Sequence, residues 1–483
     1  MSILHSLFMA FEWFILSYIL FINSSYLFLI LRSFKELRAY MKKLLYSEYK
    51  DMEVSSQTPP ISILVPAFNE SQTIEESVRS FLWLNYPEYE VIVVNDGSTD
   101  QTLDILKEKF NLLPIFPTYR KQLQTQDVRN VYRSVEYPYL LVIDKENGGK
   151  SDSLNTGINF ASYPYFCTVD ADSILERDAL LRTMRPVIEG KDDIVACGGI
   201  VRVANGCTFR DGNVTKVGLP ENPWAIFQVI EYLRSFLASR LGFSSISCLL
   251  IISGAFGVFR KQDVLEVGGY NTSIVGEDME LVVRLHRHIR ENKKNSKILF
   301  VPDPVCWTMV PESAKVLKRQ RARWHRGLIE TLLIHRRIFL NPAYGWLGMW
   351  VMPYFFLVEF LGPIIEFIGY IIVTLGFFFH IVQVKFFILF LLLSISFGMF
   401  LSLSAVILEE WSLRRYQKSS DLFTLFVFSV MESFFYRQMV ASFCTIGLFE
   451  FLFKKNGWGV MERQSFSTHP ESSEDMSEKN QSV

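Results

Sequence analysis

The chain has 483 residues, of which 49% are hydrophobic and 42 are Phe, so it is long enough for two or three domains and unusually apolar for a soluble protein. Its 49 Lys and Arg nearly balance its 50 Asp and Glu, and a net charge of −1 creates no field that would attract DNA or RNA, so we expect no nucleic-acid partner. Six Cys at wide, irregular spacings, without a Cys-x-x-Cys pair, disfavour a zinc site or a disulfide framework and predict reduced thiols.

The first predicted element is a membrane helix. Residues 7–31 form an apolar run long enough to cross a bilayer. Basic residues follow this run directly: Arg32, Lys35, Arg38, Lys42 and Lys43. Such an excess of positive charge marks the cytoplasmic side, whereas a signal peptide carries its basic residues before a shorter apolar core. We therefore expect this helix to remain attached and the following segment to be cytosolic.

A soluble α/β region follows. Two β-branched runs, Ile61-Ser-Ile-Leu-Val65 and Glu90-Val-Ile-Val-Val94, flank a helical pattern over residues 71–84, which predicts a strand, helix, strand unit. Residues 139–143 and 165–169 repeat the strand pattern around another helix. These elements predict a mostly parallel sheet covered on both faces, in which ligands bind at the carboxyl ends of the strands.

Four polar clusters follow the predicted strands: Pro66-Ala-Phe-Asn-Glu70, Asn95-Asp-Gly-Ser-Thr-Asp100, Asp144-Lys-Glu-Asn-Gly-Gly-Lys150 and Asp170-Ala-Asp172. Each cluster alone is also compatible with an ordinary turn. Four of them at one sheet edge indicate a ligand cleft. Asp170 and Asp172 supply hard oxygen ligands, which suit Mg²⁺ or Mn²⁺ bound together with a diphosphate. The Gly-Gly-Lys150 segment lacks the spacing of a nucleotide triphosphatase loop.

Further motifs precede the return to apolar sequence. Gly276-Glu-Asp278 opens a helical pattern, so its acids are either helix caps or a general base. Gln320-Arg-Ala-Arg-Trp324 opens a basic region. Basic residues are common on the cytosolic side of a membrane segment, which accounts for the cations of this region but not for Trp324. The apolar stretch 251–259 contains Gly and can bring backbone close to a ligand. Three His lack an acidic or Cys partner at metal-ligand spacing and are expected at the surface: His286, His288 and His325.

Apolar runs return at residues 346–381, 386–408 and 422–453, and each is long enough to cross or lie in a bilayer. The linker 409–421 is basic, which indicates cytosol. If Lys454 and Lys455 are also cytosolic, the last run must form a hairpin or lie in the interface, and Glu432 and Arg437 near its middle favour such a break. Residues 467–483 are rich in Ser and Glu, which predicts a disordered tail.

These patterns divide the chain into four parts. Residues 1–58 hold the first membrane helix and a basic linker, and 59–340 form the α/β domain. Residues 341–455 form membrane or interfacial helices, and 456–483 form the tail.

Six motifs together resemble the membrane-bound, processive, inverting glycosyltransferases, which include cellulose, chitin and hyaluronan synthases and bacterial poly-N-acetylglucosamine synthases. They occur in the family's order: Val65-Pro-Ala-Phe-Asn-Glu70, Asp96-Gly-Ser-Thr-Asp100, Gly149-Lys-Ser-Asp-Ser-Leu-Asn-Thr-Gly157, Asp170-Ala-Asp172, Gly276-Glu-Asp278 and Gln320-Arg-Ala-Arg-Trp324. The resemblance covers about residues 59–463, and Trp458-Gly-Val-Met-Glu-Arg463 is similar to the ending of the poly-N-acetylglucosamine branch. Two features depart from the family: Met309 stands where relatives often carry an acid, and a long segment, residues 110–137, separates the early motifs.

The resemblance implies a GT-A (Rossmann-like) catalytic domain on the cytosolic side of N- and C-terminal membrane helices. It implies a UDP-sugar donor, UDP-N-acetylglucosamine in the most similar branch, with Mg²⁺ or Mn²⁺, a growing polysaccharide as acceptor, surrounding membrane lipid, and accessory export subunits as further candidate partners. On the donor side, it implies that Asp96 contacts the uracil, Glu70 and Lys150 hold the nucleotide, Asp170 lies at the ribose and diphosphate, and Asp172 ligates the metal together with Asp170.

On the acceptor side, the resemblance implies that Asp278 is the general base and that Arg323 stabilises the departing diphosphate. Trp324 would stack on the acceptor sugar with Gln320 beside it. Two alternatives stay open at this point. A non-processive transferase acting on a polyprenyl phosphate or glycolipid shares the early motifs without needing the Trp, and an inactive membrane scaffold would not need Asp278 at all.

Overall fold

The computed structural model describes residues 2–45, 58–210, 212–379 and 384–453. The sequence features predicted for residues 456–483, including the Trp458 motif and the disordered tail, lie outside these ranges, as do Lys454 and Lys455.

Twelve strands are formed within the described part of the α/β domain. Their bounds are β1 Ile61–Ala67, β2 Tyr89–Asn95, β3 Leu112–Ile115, β4 Val128–Ser134, β5 Leu140–Lys145, β6 Tyr165–Val169, β7 Ser173–Leu175, β8 Asp193–Val203, β9 Thr208–Arg210, β10 Asn213–Lys216, β11 Phe256–Arg260 and β12 Ser296–Thr308. Ten of them form one sheet in the order β3-β4-β5-β2-β1-β6-β11-β8-β12-β7, and β9 and β10 form a separate hairpin.

The sheet is mixed, with a parallel centre. Strands β5, β2, β1 and β6 pair in parallel, as the sequence predicted. The expectation of a mostly parallel sheet is wrong beyond β6, where β11 runs antiparallel to both β6 and β8. The long segment 110–137 contributes β3 and β4, which extend the opposite edge in antiparallel fashion. Ile63 and Leu64 on β1 face opposite sides and are both fully buried, because helices cover both faces of this centre.

Fifteen α-helical segments lie in the described residues. Their bounds are α1 Ser2–Leu45, α2 Ile74–Leu82, α3 Thr102–Lys109, α4 Lys150–Phe160, α5 Ala179–Ile188, α6 Pro223–Leu233, α7 Leu241–Ser244, α8 Lys261–Glu266, α9 Glu277–Glu291, α10 Ala314–Ile334, α11 Met352–Tyr354, α12 Leu361–Phe378, α13 Val384–Ser412, α14 Ser419–Met431 and α15 Arg437–Leu452. Four π-helical segments adjoin them: Arg234–Arg240, Leu347–Val351, Phe355–Phe360 and Glu432–Tyr436. Short 3₁₀ turns occur at Arg336–Ile338 and Pro342–Tyr344.

In the part of the chain that the structure describes, three helical runs are long and apolar enough to cross a membrane: Trp13–Lys43, Leu347–Ile372 and Leu391–Ser412. They coincide with three of the four apolar runs in the sequence. The fourth run differs from the prediction, because α14, the π-helical segment Glu432–Tyr436 and α15 follow one another without leaving helical geometry. Of the two expected arrangements, the hairpin is not formed within the described residues, where the break at Glu432 is a local π-helical turn, and an interfacial position of this run stays a prediction.

A buried ion pair joins the sheet to the membrane helices. Arg202 on β8 donates from Nη2 to Oε2 of Glu409 near the end of α13 at 2.6 Å, and both side chains are almost fully buried. Tyr416, in the linker after α13, is also buried and packs against the α/β core. All six cysteines are free thiols, in agreement with the sequence analysis.

We predict that Glu409→Ala lowers the apparent melting temperature of the detergent-solubilised protein strongly, because it leaves the Arg202 guanidinium buried without a counter-charge. Breaking such a pair costs about 3–5 kcal/mol, whereas replacing both partners with apolar residues is often neutral. The double variant Arg202→Met/Glu409→Leu should therefore recover most of the loss in a thermal unfolding assay. A Glu409→Ala variant as stable as the parent would contradict this account of the junction.

Candidate functional site

One cavity of about 1480 Å³ contains every site residue predicted from the sequence. These residues are Glu70, Asp96, Lys150, Asp170, Asp172, Asp278, Gln320, Arg323 and Trp324. The first five follow the carboxyl ends of β1, β2, β5 and β6, because parallel strands end at a common edge. The last four come from α9, which precedes β12, and from α10, which follows it. The sequence therefore predicted the membership of the site, while their roles stay predictions.

Asp96 organises the loop that follows β5. Its carboxylate accepts hydrogen bonds from Lys145 Nζ at 2.6 Å and from the backbone N–H groups of Gly148 at 3.0 Å and Gly149 at 2.8 Å. Lys145 is fully buried and also pairs with Asp152 at 2.7 Å. Sequence analysis gave Lys145 no role, although a lysine between an apolar strand and two glycines was the available signal. This network fixes the Gly-Gly turn that presents Lys150 to the cavity.

Lys150 links the two sides of the cavity. Its Nζ donates to Asp170 Oδ1 at 2.5 Å and to the Gly254 carbonyl at 3.2 Å, while the Gly254 N–H donates to Asp278 Oδ2 at 3.1 Å. A Cβ on Gly254 would lie 3.1 Å from Lys150 Nζ, so a side chain there would crowd the ion pair. Gly254 thus brings the backbone of residues 251–259 to the cavity wall, and its approach to a ligand stays a prediction.

Three carboxyl groups, those of Asp170, Glu277 and Asp278, surround the Lys150 ammonium. Burial alone lowers the pKa of the Lys150 ammonium, but attraction to Asp170, Glu277 and Asp278 raises it above its ordinary value overall. Burial raises the pKa of Glu277 to about 7, and repulsion from Asp278 adds to that shift while Lys150 opposes it. A carboxyl with a pKa near neutrality beside an ionised lysine is typical of functional sites.

Helix α10 carries the acceptor-side motif on one broad face. Trp324 is 44% exposed, and the Arg321 guanidinium lies 4.3 Å from its ring centroid. Arg321 is itself buried and donates to Glu231 Oε2 at 2.8 Å. The basic region is therefore more than a membrane flank, because Arg321 supports Trp324 from behind.

Helix α10 approaches the start of α9 through two glycines. A Cβ added to Gly327 would lie 2.8 Å from the Cα of Gly276, the residue before Glu277 and Asp278. Backbone at this separation leaves no room for a methyl group. The Gly276 and Gly327 contact thus sets the distance between the start of α9 and the α10 face that bears Trp324.

The residues at the end of β6 fit a divalent cation by donor chemistry. Asp170 and Asp172 both line the cavity and offer hard carboxylate oxygens, and few protein ligands are needed when a diphosphate supplies others. A different cluster of Asp263, Glu266 and His288 lies outside the cavity lining. Lys294 Nζ lies within 3.3 Å of all three of these side chains, so an ammonium already balances that cluster.

The histidines are less exposed than the sequence suggested. His286 is buried, its Nε2 lies 2.7 Å from the Leu249 carbonyl, and burial lowers its pKa to about 3. His325 is also buried, and it lines the cavity. His288 is partly exposed but lies 3.0 Å from Glu266, so it does have an acidic partner. The surface prediction is therefore wrong for His286 and His325, because basic neighbours on a helix do not report which face the helix buries.

Sequence analysis also missed several polar groups in the cavity. Arg240, in the π-helical segment before α7, stacks 3.9 Å from the Phe236 ring centroid near Asp278. Other missed residues line the cavity from the candidate membrane spans, namely Tyr18, Tyr26, Glu359 and Glu366, and Arg234 and Arg437 line it from neighbouring helical segments. Ionisable residues within apolar runs were the available signal, since such residues in membranes are rarely lipid-facing.

We predict that Gly327→Ala lowers kcat about 10²-fold while UDP affinity is retained, because the new methyl group must push α10 away from Gly276. Helix propensity alone favours Ala over Gly, so without this contact the change would be harmless or stabilising. Lys318→Ala, on the exposed face of the same helix, is the matched control and should keep the parental kcat. A fully active Gly327→Ala variant would remove the glycine contact from the account.

Comparisons with known proteins agree with this architecture. The family Glycosyl transferase family 2 matches residues 62–248, and Glycosyl transferase family group 2 matches residues 165–408, which is half of the chain. The poly-beta-1,6-N-acetyl-D-glucosamine synthase of Staphylococcus epidermidis is 30% identical over 277 residues, covering 57% of this chain and 56% of that protein. The protein of the same name from Staphylococcus aureus (strain COL) is 28% identical over 296 residues, or 61% of each chain.

This chain therefore spans little more than half the length of these curated relatives. Among solved structures, the mannosyltransferase PcManGT from Pyrobaculum calidifontis, in complex with GDP-Man and Mn²⁺, superposes with a TM-score of 0.50 at 15% identity. The superposition covers 92% of this chain and 100% of that one, and similarity at this identity shows the fold alone. The predicted family and fold class are confirmed: the chain belongs to glycosyl transferase family group 2, with a GT-A-like α/β domain and sequence homology to poly-β-1,6-N-acetylglucosamine synthases.

Proposed function

We propose that this protein is a membrane-embedded, inverting, processive β-glycosyltransferase. Its donor is a UDP-sugar, UDP-N-acetylglucosamine by homology with the named synthases, and its acceptor is a growing exopolysaccharide. One observation carries the proposal. A single cavity is lined both by the predicted donor residues, such as Asp96 and Asp172, and by residues of the candidate membrane helices, such as Tyr18 and Glu366.

A continuous cavity favours processive synthesis over single transfer. A polymer is polar and cannot cross hydrocarbon directly, so it needs a protein-lined path from the site of transfer. Trp324 and Asp278 line the same cavity, so a sugar stacked on the exposed Trp324 ring would remain in the cavity that holds the proposed base. An enzyme that adds one sugar and then releases its product would require neither the Trp at the acceptor nor a cavity that extends to the candidate membrane helices.

Inverting transfer is one in-line displacement at the anomeric carbon of the donor. Asp278 would accept the proton of the attacking hydroxyl, and its Oδ2 is held in place by the Gly254 N–H. Arg323 and Lys150, both at the cavity wall, would neutralise the charge that collects on the departing diphosphate. Asp96 would contact the uracil. Its carboxylate also accepts hydrogen bonds from the Gly148 and Gly149 N–H groups, so it would shape the nucleotide site through that loop as well.

Asp172 and Asp170 would hold Mg²⁺ or Mn²⁺ with the donor diphosphate. The bound ion would supply Lewis-acid stabilisation of the leaving group. Lys150 pairs with Asp170 and would keep that carboxylate oriented towards the nucleotide when the ion binds.

The proposed orientation places the α/β domain in the cytosol, where nucleotide sugars are made. The basic residues that follow the apolar run 7–31 support it, since Arg32 and Lys43 lie in the part of α1 that contacts this domain. Large apolar side chains on α1, such as Trp13, Phe14 and Leu20, are exposed in a manner suited to lipid.

We predict that the purified protein in nanodiscs, given UDP-N-acetylglucosamine and Mg²⁺ or Mn²⁺, produces a long polymer detectable by mass spectrometry. Other UDP-sugars supplied one at a time serve as specificity controls. Release of a single-sugar lipid product alone would exclude processive synthesis and support transfer to a polyprenyl phosphate or glycolipid. Removal of divalent ions with EDTA should abolish transfer.

We further predict that Asp278→Asn lowers the transfer rate by about 10²–10⁴-fold with UDP affinity retained, because the amide keeps the shape of the carboxylate but cannot accept the proton. Asp192→Asn, at an exposed position paired with Lys297, is the matched control and should transfer sugar normally. Equal turnover by Asp278→Asn and the parent would remove Asp278 from the role of base, whereas no transfer by either protein would support the inactive-scaffold alternative.

A further inference from the structure

His325 occupies the boundary between the two halves of the cavity. It follows Trp324 in α10 and is 4% exposed, yet it lines the cavity. Its ring centroid lies 5.6 Å from that of Phe360, which belongs to the candidate membrane run Leu347–Ile372. His325 therefore lies on the membrane side of the α10 motif, where the cavity leaves the α/β domain.

The imidazole is buried without satisfying its hydrogen-bonding capacity. Nε2 of His325 has no hydrogen-bond partner among the described residues, and the same is true of Oε1 of Gln320 on the same cavity wall. An unsatisfied buried polar atom is costly, so a residue of this kind needs an explanation from function or from an absent ligand. His286 shows the contrast, because it is equally buried but both of its ring nitrogens have partners.

We propose that His325 is a binding residue for the glycan product, which it holds at the first sugar beyond Trp324 on the path into the membrane helices. This inference rests on the function proposed above. It adds a residue outside the six sequence motifs and assigns it a role in retaining the polymer between additions.

The chemistry of the residue suits a neutral sugar. Burial lowers the pKa of His325 to about 4, so the ring is neutral at pH 7 and offers one donor and one acceptor. Sugar hydroxyl and amide groups also donate and accept, and they can satisfy the imidazole after a small ring rotation. Gly362 lines the same cavity as His325, and the cavity has room there, because a Cβ added to Gly362 would meet just the Tyr18 hydroxyl, at 3.5 Å.

Substitutions of His325 can distinguish a role in binding from a role in packing. Loss of a binding residue should shorten the product without lowering the stability of the protein. His325→Phe keeps a ring beside Phe360 and removes the unsatisfied nitrogen, so its melting temperature should equal or exceed that of the parent. Its mean polymer length should fall about fivefold to tenfold, since each weakened hold raises the chance that the chain dissociates before the next addition. Its UDP affinity and its initial rate of sugar transfer should stay within about twofold.

The experiment measures polymer length by gel electrophoresis of radiolabelled product from nanodisc-reconstituted protein. His325→Gln, which restores a donor and an acceptor, should give chains within about twofold of parental length, and Lys318→Ala controls for changes on the exposed face of α10. Parental length from His325→Phe, or equal shortening by His325→Phe and His325→Gln, overturns the inference while leaving the proposed function intact. A parent that makes no polymer overturns the proposed function and this inference with it.

Discussion

Helix α10 is held between two backbone contacts, and the rest of the site depends on them. On one side Gly327 lies against Gly276, which precedes the proposed base. On the other side Gly447 of α15 lies so close to Ala322 that a Cβ there would be 2.5 Å from the Ala322 carbonyl oxygen. Because neither contact tolerates a side chain, α10 has little freedom to move relative to α9 or α15. The same helix therefore fixes the position of Trp324 with respect to both the sheet edge and the membrane helices.

The part of the cavity lined by the candidate membrane helices and their neighbours contains more ionisable side chains than a surface that faces lipid would carry. Its ionised groups are largely paired: Arg437 lies 3.2 Å from Glu366, and Arg234 donates to Glu432 at 2.8 Å. Glu359 accepts from the Tyr26 and Tyr354 hydroxyls instead. Burying such groups is expensive unless they line a hydrated path or bind a ligand. Their placement along one cavity is consistent with a route for a polar chain, and the local π-helical turns occur beside it.

Sequence reasoning recovered the parallel centre of the sheet and the membership of the site for a physical reason. Short β-branched runs followed by polar turns report both the strands and the edge at which they end, so Glu70, Asp96 and Asp172 were found together. Ordered motifs then added Asp278 and the α10 residues. Local pattern could not show that β11 runs antiparallel, since β-strand direction depends on the path of the intervening chain.

The sequence also did not predict which helical residues are buried. His325 and Arg240 lie in segments whose neighbours are basic or apolar, and the face they present is set by helices distant in sequence. The π-helical turn at Glu432 has the same origin, since Glu432 is held by Arg234 from another part of the chain. Lys145 was missed because its two partners, Asp96 and Asp152, are brought together by the fold. Long-range pairing of this kind has no periodic signature.

The central claim is that one cavity, lined by both the sheet edge and the candidate membrane helices, carries the product. The most direct measurement is a cryo-EM structure of the protein in nanodiscs, frozen during turnover with UDP-N-acetylglucosamine and Mg²⁺ or Mn²⁺. The account predicts continuous glycan density that begins beside Asp278, stacks on Trp324 and passes His325 towards Glu366. Glycan density that leaves the sheet edge directly into the cytosolic solvent, with the space near Glu366 filled by lipid, would contradict it.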